Sequence, residues 1–216
     1  MPSPRKLLVV NVAGLGWDLV SRHQPPAGAL AFRQAETVFP AVTCTVQASF
    51  RTASLPSEHG MIANGLFFRH IQRAMFWEQA AALVIGPRIW ESARRAGKKV
   101  GLLFWQQSLG EQADILLSPK PVHKHHGGMI QDCYSQPHDL YEQLCAAIGR
   151  PFDLVNYWGP LASVRANEWI VDATCEIMRS QDHAPDLLFT YLPGLDYDLQ
   201  RFGPNHRKSF QKKKKS

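Results

Sequence analysis

Four apolar runs along the chain predict buried β-strands. Each is a nearly continuous stretch of aliphatic and aromatic residues, which is typical of strands covered on both faces in a parallel sheet. The first run ends in Ala13-Gly14, as a strand leading into a turn would. We therefore predict strands at residues 6–12, 99–105, 152–157 and 186–192.

Helical patterns lie between these runs. The clearest covers residues 164–179, and its apolar residues fall on one stripe: Trp169, Ile170, Ala173 and Ile177. A second pattern, at residues 138–148, stops at Gly149, and a third covers residues 87–96. Strands that alternate with helices require crossover connections. The predicted fold class is therefore α/β, with a largely parallel β-sheet sandwiched by helices.

Composition and charge narrow the possible functions. The chain has 216 residues, of which 45% are hydrophobic, and this suits one folded domain with a sizeable core. The net charge of +6 comes from Arg207, Lys208 and Lys212 to Lys215, because residues 1–206 carry as many acidic as basic residues. We predict a domain over residues 1–206 and a basic, disordered tail over residues 207–216, with no specific nucleic-acid partner.

Cysteine spacing argues against a zinc-knuckle or disulfide-scaffold protein, and hydropathy argues against a membrane-spanning one. The four cysteines, Cys44, Cys133, Cys145 and Cys175, show neither zinc-knuckle nor disulfide-scaffold spacing, so we expect reduced thiols. No run approaches the roughly 20 apolar residues that a membrane-spanning helix needs, and the N-terminus lacks a clear signal-peptide cleavage pattern. We predict a cytoplasmic protein with no membrane span.

One segment offers candidate chemistry. Thr43 follows an extended Phe-Pro step, and three apolar residues recur after it at helical spacing: Val46, Phe50 and Ala53. Because Pro56 ends this pattern, we predict Thr43 at a helix N-terminus. The free amides and the dipole of a helix N-terminus favour an anion, either an alkoxide or a bound phosphate. The spacing also fits a simple helix cap, a common role for threonine.

The segment FPAVTCTVQASFRTASLPSEHGMIANG, residues 39–65, resembles the nucleophile segment of the nucleotide pyrophosphatase/phosphodiesterase branch of the alkaline phosphatase superfamily. In that family a Phe-Pro-x-x-Thr step leads into a helix and then into Pro-x-x-His-Gly. The resemblance implies that Thr43 is the catalytic nucleophile. It also implies that Asn64 and the backbone amide of Cys44 hold a phosphoryl oxygen, and we give His59 a scaffold role.

A second segment, PDLLFTYLPGLDYDLQRFGP at residues 185–204, resembles the strand and loop that carry a zinc site in the same family. The resemblance implies that Tyr191 supports the leaving-group side of the substrate and that Asp196 is a metal ligand, with Thr43 beside the metal. It further implies an alkaline-phosphatase-like fold and a phosphoric-ester hydrolase of the phosphodiesterase or nucleotide pyrophosphatase type. The resemblance also implies divalent metal ions as cofactors and a small phosphorylated molecule as substrate.

The sequence departs from the family pattern at three places. Ala13 stands where the family has an aspartate ligand, which leaves Asn11 or Asp18 as substitutes. Gln200 stands where a histidine ligand is expected, and an amide oxygen suits magnesium better than zinc, so manganese or magnesium are alternatives to zinc. Family members also continue well beyond the Gly-Pro step at residues 203–204.

These departures shape the functional expectation. We expect the N-terminal part of a longer fold, incomplete at its C-terminus and with an uncovered sheet edge, that is inactive as a 216-residue chain on its own. The alternative function is a non-catalytic relative that binds a phosphorylated ligand or a protein partner.

Two further sets of residues are candidates. His123, His125 and His126 suit either metal ligands on an extended segment or a solvated loop. Aromatic pairs close several apolar runs, which favours core packing, and Trp158 is the one we predict in a substrate pocket.

Overall fold

A computed structural model describes residues 6–24, 28, 31–120, 122–123, 126, 129–130, 132–180 and 184–206. The strands are β1 (Leu7–Val12), β2 (Gly65–Phe68), β3 (Arg73–Phe76), β4 (Val100–Leu103), β5 (Ile115–Pro119), β6 (Val122–His123), β7 (Met129–Ile130), β8 (Cys133–Gln136) and β9 (Leu187–Leu192). The α-helices are α1 (Trp17–His23), α2 (Thr43–Thr52), α3 (Pro56–His59), α4 (Glu91–Arg95), α5 (Leu140–Ile148), α6 (Val164–Arg179) and α7 (Gly194–Phe202).

The central sheet has five strands in the order β1-β9-β4-β5-β8. The pairs β1–β9, β9–β4 and β4–β5 are parallel, and β8 pairs antiparallel with β5 at one edge. Asn11 lies opposite Tyr191 in the β1–β9 register, so the carboxyl ends of these two strands meet. The predicted α/β fold with a largely parallel sheet is confirmed.

Helices cover both faces of the sheet. On one face α6 buries the predicted stripe, including Trp169 and Ile170, against a cluster that contains Leu103 and Leu188. On the other face α2 contributes Phe50, whose ring lies 5.8 Å from that of Trp105 and 6.3 Å from that of Phe189. The predicted layer arrangement is therefore present.

Strand β1 lies where predicted but is not covered as predicted. Its neighbour among the described strands is β9 alone, so β1 forms the edge of the sheet. Leu7, Leu8 and Val10 are 53%, 42% and 45% exposed. The apolar run predicts a buried strand, but the position of β1 at the edge of the sheet leaves its side chains exposed. β1 is the uncovered sheet edge that we expected.

The predicted strand at residues 152–157 is wrong. These residues form a loop with a turn at residues 155–157, and Phe152, Leu154 and Tyr157 are buried in the core. The rings of Phe152 and Tyr157 lie 4.7 Å and 5.6 Å from that of Phe104, so the apolar run serves aromatic packing in a loop. Two strands absent from the prediction, β5 and β8, complete the sheet instead.

The apolar stripe predicted for α2 is not its buried face. Phe50 is 47% exposed and Ala53 is exposed at the helix C-cap. The fully buried positions are instead Cys44, Thr45, Gln47, Ala48 and Arg51, three of which are polar. The side chains of Gln47 and Arg51 form hydrogen bonds inside the protein, whereas Thr45 Oγ1 forms none among the described residues. Hydrophobic periodicity therefore does not identify this face.

No described helix is both long enough and apolar enough to span a bilayer. The predicted tail, residues 207–216, lies outside the described residues.

Candidate functional site

A cavity of about 610 Å³ opens at the carboxyl ends of β1 and β9. Its walls come from the end of β1 and the turn after it, from the segment before α2, and from the start of α7. Ligands of parallel α/β sheets collect at this edge. Five residues proposed from the sequence line the cavity together: Thr43, Asn64, Tyr191, Asp196 and Gln200.

Thr43 is the first residue of α2. Val42 occupies the cap position with an extended backbone, and no side chain caps the helix, so the simple-cap interpretation of Thr43 is wrong. The Oγ1 atom of Thr43 lies 3.4 Å from the hydroxyl oxygen of Tyr191. Burial raises the pKa of Tyr191 above its ordinary value, so this phenol stays protonated near neutral pH. The Thr43 side chain therefore forms no capping bond, and Thr43 lines the cavity together with Tyr191.

Cys44 presents its backbone and not its thiol to the site. Its N–H donates to Oδ1 of Asn64 at 3.0 Å, which brings the two predicted oxygen-binding groups together. Its sulfur is fully buried and accepts a bond from Nε2 of Gln107 at 3.1 Å. Burial raises the pKa of the Cys44 thiol to about 11, so a thiolate is not available beside Thr43.

Gln47, which the sequence did not single out, fixes α2 against two strand ends. Its Nε2 donates to Oδ1 of Asn11 at 2.9 Å, and its Oε1 accepts from the backbone N–H of Gln106 at 2.8 Å. Asn11 is the last residue but one of β1, and Gln106 lies three residues after the end of β4. One fully buried amide therefore ties the helix that carries Thr43 to the sheet. A polar residue on the buried face of a predicted helix is the signal that could have found it.

His59 has the scaffold role that the sequence suggested. It is fully buried, its Nδ1 accepts the backbone N–H of Met61 at 3.1 Å, and its Nε2 therefore donates to Ser49 Oγ at 2.8 Å. Burial lowers the pKa of His59, and nearby Arg51 lowers it further. This neutral ring joins the end of α3 to α2 and does not line the cavity.

Asp196 and Gln200 lie one turn apart on α7. Nε2 of Gln200 donates to Oδ2 of Asp196 at 2.6 Å, so the glutamine acts as a donor to the carboxylate. Burial raises the pKa of Asp196 above its ordinary value, and the bond from Gln200 partly offsets that rise. The pair forms one hydrogen-bonded unit at the rim of the cavity.

The described residues do not fit a two-metal centre. No group of three or more His, Cys, Asp or Glu side chains suited to a metal occurs among them. Asp196 is the one carboxylate of the described cavity lining. The two substitutes for the ligand missing at Ala13 are also engaged, since Asn11 accepts from Gln47 and Asp18 pairs with Arg22 on the surface of α1.

Other sequence candidates lie elsewhere. Trp158 is absent from the described cavity lining and packs against Tyr157, with ring centroids 5.0 Å apart. His126 is exposed, His123 belongs to the short strand β6, and His125 lies outside the described residues. The histidine segment therefore remains an untested candidate.

Replacing Asp196 with asparagine is expected to raise the melting temperature slightly near neutral pH. The raised pKa means that the folded chain holds the charged form less well than the unfolded chain does, so the charge destabilises the fold above the ordinary aspartate pKa. The gain should therefore grow as pH rises from about 4 to about 7. Thermal unfolding across that range measures it.

Asp198→Asn is the matched control, because Asp198 lies on the same helix and pairs with Arg201 at 3.6 Å near the surface. It should leave the melting temperature almost unchanged. A loss of stability in Asp196→Asn that is larger at neutral than at acidic pH would contradict the prediction.

Solved structures share this fold. Phosphonoacetate hydrolase from Sinorhizobium meliloti 1021, in complex with phosphonoformate, aligns with a TM-score of 0.63 and 19% identity over 95% of this chain and 50% of that chain. Murine ectonucleotide pyrophosphatase/phosphodiesterase 5 aligns with a TM-score of 0.56 and 16% identity over 95% of this chain and 48% of that chain. An inactive variant of the murine protein in complex with AMP aligns with a TM-score of 0.56 and 15% identity over 95% of this chain and 47% of that chain. At these identities the likeness shows the fold.

This chain spans about half the length of those solved structures. No curated protein sequence matches it. The family model described as type I phosphodiesterase / nucleotide pyrophosphatase matches residues 7–215. That match covers nearly the whole sequence, and the chain therefore belongs to the type I phosphodiesterase / nucleotide pyrophosphatase family.

Proposed function

We propose that this chain carries the nucleophile and the oxyanion donors of a phosphoric-ester hydrolase that acts on phosphodiesters, including nucleotide derivatives. The observation that carries the proposal is the position of Thr43 Oγ1, at the N-terminus of α2 and 3.4 Å from the Tyr191 hydroxyl, inside a cavity at the carboxyl edge of the sheet. Family membership supports it. The inactive murine relative solved with AMP, in which one threonine is replaced by alanine, supports a threonine nucleophile.

In the proposed reaction Thr43 Oγ1 attacks phosphorus while the bond from phosphorus to the leaving oxygen breaks; the threonine hydroxyl proton is released to water and the leaving alkoxide takes a proton from water. A water molecule then attacks phosphorus of the phosphothreonine, which releases phosphate monoester and regenerates the Thr43 hydroxyl. Negative charge accumulates on the phosphoryl oxygens, and the free amides of the first turn of α2 stabilise it. The Cys44 N–H donates to Oδ1 of Asn64 at 3.0 Å. In the proposed complex a phosphoryl oxygen replaces that acceptor and also accepts a bond from the Asn64 side-chain N–H. The protonated Tyr191 phenol, 3.4 Å from Thr43 Oγ1, orients that oxygen.

The outer wall of the cavity supports a nucleotide-like substrate. Trp17 and Phe32 supply exposed aromatic faces for a base, and Arg33 is the one cation of the described lining. A cavity of about 610 Å³ lies within the range that holds small ligands. An anionic ligand with a flat apolar group matches these three side chains.

Metal ions would normally screen phosphoryl charge in such chemistry, but the described donors supply a single carboxylate, and no proposed step passes through a metal. The same observation favours the second candidate function, a non-catalytic relative that binds a phosphorylated ligand. Ala13 and the Asp196–Gln200 bond are the features that support it.

Two measurements on the purified chain separate these candidates. Release of p-nitrophenolate from bis(p-nitrophenyl) phosphate is followed with chelator and with added zinc, manganese or magnesium, and AMP binding is followed by calorimetry. Turnover that requires the Thr43 hydroxyl supports the hydrolase. Saturable AMP binding without turnover in any of these conditions supports the binder, and absence of both overturns the proposal for this chain.

Replacing Asn64 with alanine is expected to lower turnover by roughly a hundredfold, because one oxyanion donor is lost and the Cys44 amide loses its partner. The rate should fall with little change in melting temperature. Asn156→Ala is the matched control, since Asn156 bonds Asp153 away from the cavity. Equal rates in the two variants would show that Asn64 does not touch the substrate.

A further inference from the structure

The hairpin β2–β3 has an unusual outer face. In its register Gly65 lies opposite Phe76 and Phe67 opposite Ala74, so these four residues share one face. Phe67 is 58% exposed and Phe76 is 69% exposed. The opposite face carries Leu66, which packs on the core cluster beside α2. A hairpin with one face on the core normally has polar residues on the other, but here both faces are apolar.

The tip of this hairpin is basic. Arg69, His70 and Arg73 are exposed, and Ile71 between them is 47% exposed. The sequence has no acidic residue between Glu58 and Glu78. Within the described part of the chain, neither arginine forms an ion pair. The tip therefore combines uncompensated cations with an exposed aliphatic side chain.

We propose that the hairpin is a docking element for an anionic phospholipid surface. Phe67, Ile71 and Phe76 enter the boundary between headgroups and acyl chains, while Arg69 and Arg73 pair with lipid phosphates or carboxylates. Charge complementarity selects this occupant, because the element carries cations and no carboxylate.

The other occupants fit less well. A symmetric contact with a second copy would bring like charges together, because such an interface repeats the same patch on both partners. A nucleic acid needs an extended basic track, whereas the body of the chain, residues 1–206, is charge-balanced.

The hairpin is joined directly to the candidate site. Asn64 immediately precedes β2, and its carbonyl accepts the backbone N–H of Trp77, just after β3, at 2.8 Å. Docking would thus hold the cavity of Thr43 close to the headgroup layer. Binding of the hairpin to a lipid surface does not require hydrolysis at Thr43.

The test is sedimentation with sucrose-loaded vesicles of phosphatidylcholine alone or mixed with phosphatidylserine. The basic tail is a second source of attraction, so all variants are made in the full chain with Lys212 to Lys215 replaced by glutamine. That parent should bind the mixed vesicles and bind neutral ones at least about fivefold more weakly. Phe67→Ser with Phe76→Ser, which changes no charge, should lower binding to mixed vesicles about tenfold or more.

Arg69→Gln with Arg73→Gln should lower binding by about tenfold, whereas Arg207→Gln with Lys208→Gln removes the same charge from the tail and should have a smaller effect. Melting curves establish that each variant folds. Equal losses in the two charge variants together with unchanged binding of the phenylalanine variant would overturn the proposal. Hairpin-dependent binding of a single-stranded oligonucleotide without vesicle binding would overturn it as well.

Discussion

Replacing Thr43 with valine is expected to lower phosphodiesterase turnover by about a thousandfold or more. Valine keeps the branched shape of the side chain and removes only the oxygen that would attack phosphorus. Val42 and not Thr43 occupies the helix cap, so the substitution removes no capping bond and should leave the melting temperature nearly unchanged. Because the 216 residues alone are expected to be inactive, the measurement is p-nitrophenolate release at saturating substrate from a complete, longer version of the protein, with thermal unfolding of the same sample.

Two controls and one direct observation sharpen this prediction. Thr43→Ser keeps a hydroxyl and should retain much of the activity. Thr45→Val makes the same change two residues along α2, at a buried hydroxyl that has no hydrogen-bond partner, and should not reduce the rate. Mass spectrometry of a quenched reaction should find a phosphoryl adduct on the peptide that contains Thr43. Thr43→Val with near-parental turnover would remove threonine from the mechanism.

The elements that were predicted correctly are those in which the local pattern of apolar and polar residues is compatible with only one structure. Helix α6 has the predicted bounds because its apolar stripe must face the sheet. Strands β4 and β9 are nearly continuous apolar runs with neighbours on both sides. Strand β1 has the same kind of sequence, but strand order decides its exposure, and that order depends on contacts far along the chain. The run at residues 152–157 shows that apolar content alone does not separate a strand from a packed loop.

The site was predictable where residue type and spacing follow a family pattern. Thr43 and Asn64 come from one segment and Tyr191 and Asp196 from another, and the fold brings the two segments to one cavity. The residues that hold these four in place were not predictable. The buried side-chain amide of Gln47, for example, is explained only by its hydrogen-bond partners in the folded protein. The same limit applies to Trp158, whose ring could as well have faced a ligand as the core.

The largest stability effect is expected at Arg51, a charged residue that is completely buried on α2. Its guanidinium donates to the backbone oxygens of Gln107 at 2.7 Å and Gln106 at 2.9 Å, and to the carboxylate of Glu111 at 3.2 Å. Arg88 donates to the same carboxylate at 2.7 Å. Burial lowers the pKa of Arg51 to about 10, with Glu111 opposing the fall, so the group remains charged near neutral pH. The arginine therefore clamps the loop after β4 to α2.

Arg51→Met should lower the free energy of unfolding by about 3 kcal/mol, as measured by urea denaturation. The substitution leaves two buried carbonyl groups without donors, although Arg88 still balances Glu111. Arg51→Lys keeps the charge but cannot reach all three acceptors with one ammonium group, so it should recover only part of the loss.

Arg95→Met is the matched control, because Arg95 is 74% exposed and pairs with Glu91 at 3.7 Å on α4, where such pairs contribute about 0.5 kcal/mol or less. Similar urea midpoints for the Arg51 and Arg95 variants would mean that water or a local rearrangement replaces the buried clamp. Loss of stability in Arg51→Met with full recovery in Arg51→Lys would instead assign the effect to charge alone and not to the forked geometry that holds the loop.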